Sequence, residues 1–310
     1  MVRKTFISVA IALAAVLGSQ AQTKASELDG DVILMIGNDL GRNGYYEQKP
    51  IAELMGKVAG AVGPDAFLAL GDTHHFLGIE SVNDPLWMTN FELVYSHPEL
   101  QVEWCPVLGN HEYRGNTQAV VDYSGTSRRW EMPSRYYSRI FENDGTRVRV
   151  IFIDTTPIID KYRGKADEYP DACRQDAETQ IQWLDKELSK EDDADWTVVA
   201  GHHPVYAQTP KQSSEREDMQ KLVDPILRKH KVDMYVCGHI HNFQHIRRNG
   251  IDYVVNSSGS LSRPDVSATD GTVFCSGATG FSILTATPKA LTLSMVDGTG
   301  NIIHQVVRSR

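Results

Sequence analysis

Five short stretches gather the side chains able to hold a metal or move a proton: Asp39-Leu40-Gly41, Gly71-Asp72-Thr73-His74-His75, Gly109-Asn110-His111-Glu112, Gly201-His202-His203-Pro204 and Gly238-His239-Ile240-His241. Seven of the 11 histidines lie in them. A lone histidine in a turn is usually a satisfied loop residue. Imidazoles accompanied by carboxylates and an asparagine amide make a donor set that suits Zn, Fe or Mn better than Mg or Ca. The two oxygens of a carboxylate can hold ions about 3.5 to 4 Å apart, and a pair so placed supplies Lewis acidity and a hydroxide nucleophile near neutral pH. Such chemistry needs no Ser, Cys or Asp nucleophile.

These stretches need elements to position them, and each follows an apolar run. Val32 to Ile36, Ala66 to Leu70, Pro106 to Leu108, Val148 to Ile153, Trp196 to Ala200 and Met234 to Cys237 read as strands or strand ends. A helix is expected from about Pro50 to Val62, with the proline in its tolerated first turn. Ala177, Ile181, Leu184 and Leu188 predict a second helix facing the core. Met219 to Leu227 repeats that pattern, with Pro225 placed to delay or kink it. From Phe243 to Val306 the chain reads as mainly β, punctuated by Asn249-Gly250 and the Asp297-Gly298 region. The alternation predicts an α/β fold with the candidate ligands at strand ends, where open α/β sheets place their sites.

The chain has 310 residues, 31 Lys plus Arg against 40 Asp plus Glu, and a formal charge of −9. That balance argues against a duplex nucleic acid as partner, which would need a Lys/Arg-rich face. The basic start at Arg3 and Lys4, the apolar run Phe6 to Leu17 and Ser19-Gln20-Ala21 predict a signal peptide over residues 1–21, leaving 22–310 as a single exported domain, secreted or periplasmic. The run is too short to cross the roughly 30 Å of a bilayer core, and no cysteine follows the cleavage site, so no membrane anchor is expected. Cys105, Cys173, Cys237 and Cys275 show no framework spacing. Cys105 and Cys237 sit in apolar runs that predict buried thiols. Lys161 to Asp176 reads as a polar excursion from the domain.

Taken together, the five stretches resemble the calcineurin-like metallophosphoesterases, and among them the small purple acid phosphatase (tartrate-resistant acid phosphatase) type. Trp130 to Pro133 followed by Tyr136-Tyr137, Gln182-Trp183-Leu184, Val199 to His202 with Pro204-Val205, and Tyr235 to His239 extend the likeness over nearly the whole mature chain. The resemblance implies a two-sheet α/β/β/α sandwich and a dinuclear centre. By position it implies Asp39, Asp72, His75 and His241 around one ion, and Asp72, Asn110, His202 and His239 around the other, with Asp72 as the bridge. It makes His111 the catalytic residue, holding a phosphate oxygen and protonating the leaving alkoxide, and it places Asn110, His111 and His203 next to substrate. The expected reaction is hydrolysis of phosphomonoesters, of a small molecule or a phosphoprotein, by hydroxide from the two metals. A phosphodiesterase or nucleotidase would use the same centre. For a nucleotide base, Tyr113, Trp130, Tyr136, Tyr137 and Tyr206 are the candidate aromatic clamp. A noncatalytic binding protein would be expected to have lost His111 or Asp72, and neither is lost.

Two departures matter. Three residues after the bridging Asp the acid-phosphatase pattern has tyrosine and this chain has His75, which removes the phenolate that favours ferric iron and gives the purple colour. After Gly201 to Tyr206, where the mammalian type carries a Glu-His pair, the chain reads Ala207-Gln208-Thr209-Pro210-Lys211. Lys211 is expected there as a solvated loop lysine, with positive charge offered to a substrate as the alternative. His74 is expected to point away from its neighbour, and His245 and Arg247 to be structural.

Overall fold

Six consecutive buried residues, Val32–Gly37, form β1, the pattern of a strand covered on both faces. The chain then builds β2 (Ala66–Leu70), β3 (Glu103–Val107), β4 (Tyr137–Asn143), β5 (Thr146–Phe152), β6 (Trp196–Ala200), β7 (Met234–Cys237), β8 (Phe243–Arg248), β9 (Ile251–Val255), β10 (Thr272–Ser276), β11 (Gly280–Ala286), β12 (Ala290–Asp297) and β13 (Ile302–Ser309). This computed structural model describes residues 24–310, so the expected leader, residues 1–21, lies outside the described residues. One sheet runs β13-β12-β11-β1-β2-β3 and the other β10-β8-β9-β7-β6-β5-β4. Within the first, β1, β2 and β3 are parallel. Within the second, β5, β6, β7 and β9 are parallel. Both parallel sets therefore present carboxyl ends, and the two-sheet α/β sandwich expected from the sequence is the architecture observed.

The helices follow the periodicity. α1 (Gln48–Val62) carries Pro50 in its first turn and ends on Gly63 in the left-handed region. α2 (Thr117–Asp122) is capped by Asn116 and α3 (Asp160–Arg163) is a single turn. α4 (Ala177–Leu188) buries Leu184 and Leu188 as expected. It also buries Gln180, whose amide pairs with both backbone polar groups of Asp154 just beyond β5. The pattern around Pro225 resolves into two helices, α5 (Ser214–Leu222) and α6 (Asp224–Lys229), because proline fits only the first turn of the second. β8 and β9 form the hairpin expected at Asn249-Gly250, both of which have positive φ.

Beneath the loops that follow β2 and β3 lies an aromatic cluster of Trp87, Phe91, Tyr95, Trp104, Tyr123 and Trp130, all buried. Trp87 stacks on Tyr123 at 3.5 Å and Phe67 on Trp104 at 3.7 Å. His74 packs edge-on against Trp87. Burial pushes its imidazole down to about 3, so it is a neutral structural residue that turns away from His75. Cys105 and Cys237 are buried, and all four cysteines are free thiols. No helix of the described residues is long and apolar enough to cross a membrane.

Candidate metal centre

β1, β2, β3, β6 and β7 each end in a turn that carries a candidate ligand. Four of these residues hold left-handed backbone angles without being glycine: Asp39 (φ 51), Asp72 (φ 53), His239 (φ 69) and His241 (φ 64). Such conformations cost on the order of 1–3 kcal/mol each and persist where the surroundings over-determine them. Close approach explains the glycines. A Cβ on Gly109 would stand 2.2 Å from Asp72 Oδ1, and one on Gly71 would stand 2.5 Å from His202 Nδ1.

The donors converge from both sheets. Asp39, His75 and His241 form one group, with Asp39 Oδ1 2.9 Å from His241 Nε2 and 3.7 Å from His75 Nε2. His202 Nε2 and His239 Nδ1 lie 3.2 Å apart in the other. Asp72 stands between them: its Oδ2 is 3.6 Å from His75 Nε2 and 3.3 Å from His202 Nε2. Its Oδ1 accepts the His111 N–H at 2.9 Å, so Oδ2 is the oxygen that faces both groups. Both ring nitrogens of His75 and the amide oxygen of Asn110 are buried without a hydrogen-bond partner among the described residues. Orphaned polar atoms are rare in protein interiors. Several here, on side chains able to ligate a metal in adjoining strand-end turns, fit two ions held as the resemblance implies.

Supporting contacts set which atom each donor presents. His202 Nδ1 pairs with Leu70 O at 2.9 Å and His241 Nδ1 with Leu261 O at 2.6 Å, leaving each Nε2 for the centre. Asp39 Oδ2 accepts from the His239 N–H at 2.9 Å and from Asn38 Nδ2 at 2.5 Å. Glu112 accepts the backbone N–H groups of Asp72, His74 and Gly109 at 2.8–2.9 Å, tying the β2 and β3 turns together. Burial pushes that carboxyl up to about 7. Burial also opposes ionisation of Asp39 and Asp72, but the surrounding imidazoles outweigh it and hold both well below the usual carboxylate range. His202 loses charge stability by burial and regains more from Asp72, ending near 9.

His111 differs from the other members. Its side chain is 21% exposed, whereas that of His202 is fully buried and that of His75 nearly so. Its Nδ1 lies 3.0 Å from Phe76 O, which directs Nε2 toward the centre, 3.9 Å from Asp72 Oδ2. Beside it the Arg42 guanidinium lies over the Phe76 ring at 5.4 Å, with no ion pair to it among the described residues.

Several expectations change. His203, expected next to substrate, is fully buried, with Nδ1 2.8 Å from Thr155 Oγ1 and Nε2 3.0 Å from the Tyr162 hydroxyl. No ring atom is left for a substrate, and its place is behind His202 and His239. Tyr113, Trp130 and Tyr137 are core residues, with the Tyr113 hydroxyl donating to Asp154 and that of Tyr137 to Pro106 O. Tyr136 packs on Trp183, and Tyr206 on Tyr253, so no aromatic clamp forms from these five. Lys211 is not a solvated loop lysine: its ammonium reaches His239, and burial pushes it down to about 8. The Lys161–Asp176 excursion packs Tyr162, Tyr169 and Ala172 inward and brings Lys161 to Glu215. His245 and Arg247 meet on Asp252 and are structural, as expected. Glu215, absent from the sequence reading, lies 3.0 Å from His239 Nε2. No motif marks it, because it arrives on a helix far from the glycine-bearing turns.

The calcineurin-like phosphoesterase family profile matches residues 31–243. Tartrate-resistant acid phosphatase type 5 of Oryctolagus cuniculus is 33% identical over 269 residues, 82% of this chain and 82% of that protein. Purple acid phosphatase 7 of Arabidopsis thaliana is 32% identical over 291 residues, 89% and 86% of the two chains. Among solved structures, GAP50, the anchor in the inner membrane complex of Plasmodium, aligns with a TM-score of 0.77 at 22% identity, over 90% of this chain and 88% of that one. Purple acid phosphatase PPD1 of yellow lupin aligns with a TM-score of 0.64 at 16% identity, over 90% of this chain and 54% of that one. At such identities the structural likeness speaks to the fold alone.

Proposed function

The chain belongs to the calcineurin-like phosphoesterase family, and from that premise we propose that it is an exported, metal-dependent phosphatase acting on phosphomonoesters. The observation that carries the reading is the overlap of the donor groups formed by Asp39, Asp72, His75, His202, His239 and His241, with the buried, unpartnered Asn110 amide oxygen in the β3 turn and the partly exposed His111 at the rim. Asp39, Asp72, His75 and His241 would hold one ion, and Asp72, Asn110, His202 and His239 the other. Fe, Zn and Mn all suit these donors. When bound, the two ions supply Lewis acidity and a hydroxide nucleophile near neutral pH.

The chain's own groups do the rest. His111 is the catalytic residue in this reading: its Nδ1 is anchored on Phe76 O and its Nε2 protonates the departing alkoxide, a role worth about 10² to 10⁴ in rate. Arg42 and Lys211 add positive charge beside the centre of an acidic protein, which draws an anionic ester locally. The substrate in this reading is a small phosphate ester or a phosphoprotein. Export rests on the leader sequence, and cleavage after Ala21 predicts that the secreted protein begins at Gln22, which N-terminal sequencing reads directly.

Hydrolysis of p-nitrophenyl phosphate and bis-p-nitrophenyl phosphate, before and after chelation and reconstitution, tests the reaction. Monoesterase activity lost on chelation and restored by metal supports the reading. A preference for the diester would replace it with a phosphodiesterase. Two bound ions with neither activity would leave a binding protein.

A further inference from the structure

Around the Nε2 edge of His239 lies a cluster of charged groups that the motifs do not contain. Glu215, in the first turn of α5, is 2% exposed. Its Oε1 accepts from Lys161 Nζ at 2.5 Å and from the Tyr162 hydroxyl at 2.9 Å, and its Oε2 lies 3.0 Å from His239 Nε2. Lys211 Nζ lies 2.9 Å from that same Nε2 and 2.8 Å from His239 O.

One ring nitrogen cannot serve both neighbours. To accept from the ammonium, Nε2 must offer a lone pair; to donate to the carboxylate, it must carry the proton. The other nitrogen decides. His239 Nδ1 points at His202 Nε2, among the donors proposed for the second ion. An Nδ1 lone pair given to that ion leaves the proton on Nε2, and Nε2–H then donates to Glu215. Lys211 retains only the carbonyl of His239. An ammonium has three donors, and no carboxylate lies within 4 Å of this one among the described residues. A cation so placed, taken largely out of water, calls for an anion.

We propose that Lys211 binds a phosphoryl oxygen of the substrate beside the second ion, and that Glu215 is a positioning residue that keeps the His239 proton on Nε2. One hydrogen bond then does two things: it turns Nδ1 to the ion and frees the lysine for the anion. The inference rests on the proposed phosphatase reading, because it takes the second ion and a phosphate ligand from it.

The test reads metal affinity and binding of inorganic phosphate by calorimetry in the reconstituted full-length mature protein. Glu215→Gln should weaken one of the two ions by about 10- to 100-fold and leave the other tight. Lys161→Met, which breaks the far side of the same cluster, should keep both. Lys211→Met should also keep both ions but bind inorganic phosphate about tenfold more weakly, the loss of a charge-assisted hydrogen bond, while Lys211→Arg restores most of the affinity. Wild-type metal affinity in Glu215→Gln, or unchanged phosphate binding in Lys211→Met, would overturn the proposal. So would loss of an ion in Lys211→Met, which would place the lysine with the metal ligands. A wild-type protein that binds two ions and phosphate yet hydrolyses no ester would end the phosphatase reading while these affinities still decide the role of Lys211.

Discussion

The two sheets bring different chemistry to one edge. β1, β2 and β3 end in Asp39, Asp72 and Asn110, which offer oxygen, with His75 of the β2 turn adding one imidazole, whereas β6 and β7 end in His202, His239 and His241, which offer nitrogen alone. They are also held differently. On the oxygen side, backbone N–H groups do the holding: Asp72 Oδ1 accepts from His111, and Glu112 gathers three N–H groups of the neighbouring turns. On the nitrogen side each imidazole is fixed through its far ring atom, by a carbonyl for His202 and His241 and by Glu215 for His239. Several of these supports cross between sheets. His202 leans on Leu70 of the first sheet, and the His239 N–H is held by Asp39. Neither sheet carries a complete donor set, so the centre is a property of the packed pair.

Removing the residue that faces both groups should have the largest effect. Asp72→Ala is expected to lose both ions and all turnover, and a variant with two bound ions would show that the bridge is misplaced. Single-side substitutions should divide the centre: Asp39→Ala should cost the first ion and His202→Ala the second, read as metal content after reconstitution. Loss of both ions in either variant would mean that the two sides are not separable. His111→Ala should keep two ions and lose about 10² or more in turnover. A wild-type rate would reduce His111 to a support of Asp72. His75 in place of a phenolate predicts no strong visible band in the iron-loaded protein, which absorption spectroscopy checks.

The smallest effect lies far from the edge, on β13. Burial, aided by repulsion from His245 and Arg247, pushes His304 down to about 4. A histidine whose folded pKa lies below its unfolded value stays neutral in the fold while the unfolded chain takes up a proton. Its contribution is therefore present above about pH 6.5 and is lost as pH falls toward 4. Because the ring is partly exposed, the slope should be shallow. His304→Gln should flatten thermal stability between those values without changing metal content, and an unchanged slope would remove His304 from the account.

The contrast between the sheets also marks what the sequence makes legible. Asp39, Asp72, Asn110, His202, His239 and His241 announce themselves because ligand, glycine and strand end are contiguous, and strained turns need that local sequence. β2, β6, β7 and α4 are equally plain from apolar runs and helical spacing. The supports are not local. Glu215 and Lys211 reach His239 from a segment with no motif, and the contact of Lys161 with Glu215 spans 54 residues. His203 misleads for the opposite reason: it sits beside a ligand in sequence, but its partners Thr155 and Tyr162, both distant along the chain, turn it inward. β4 was also missed, because only Tyr137 and Phe141 of its seven residues are buried, too sparse a pattern to read as a strand.

The central claim is one dinuclear centre assembled across two sheets, and its most direct test is metal analysis of the purified protein after chelation and reconstitution. The account predicts two tightly held ions per chain, falling to one in His202→Ala and to none in Asp72→Ala. At most one ion in the wild-type protein would contradict it.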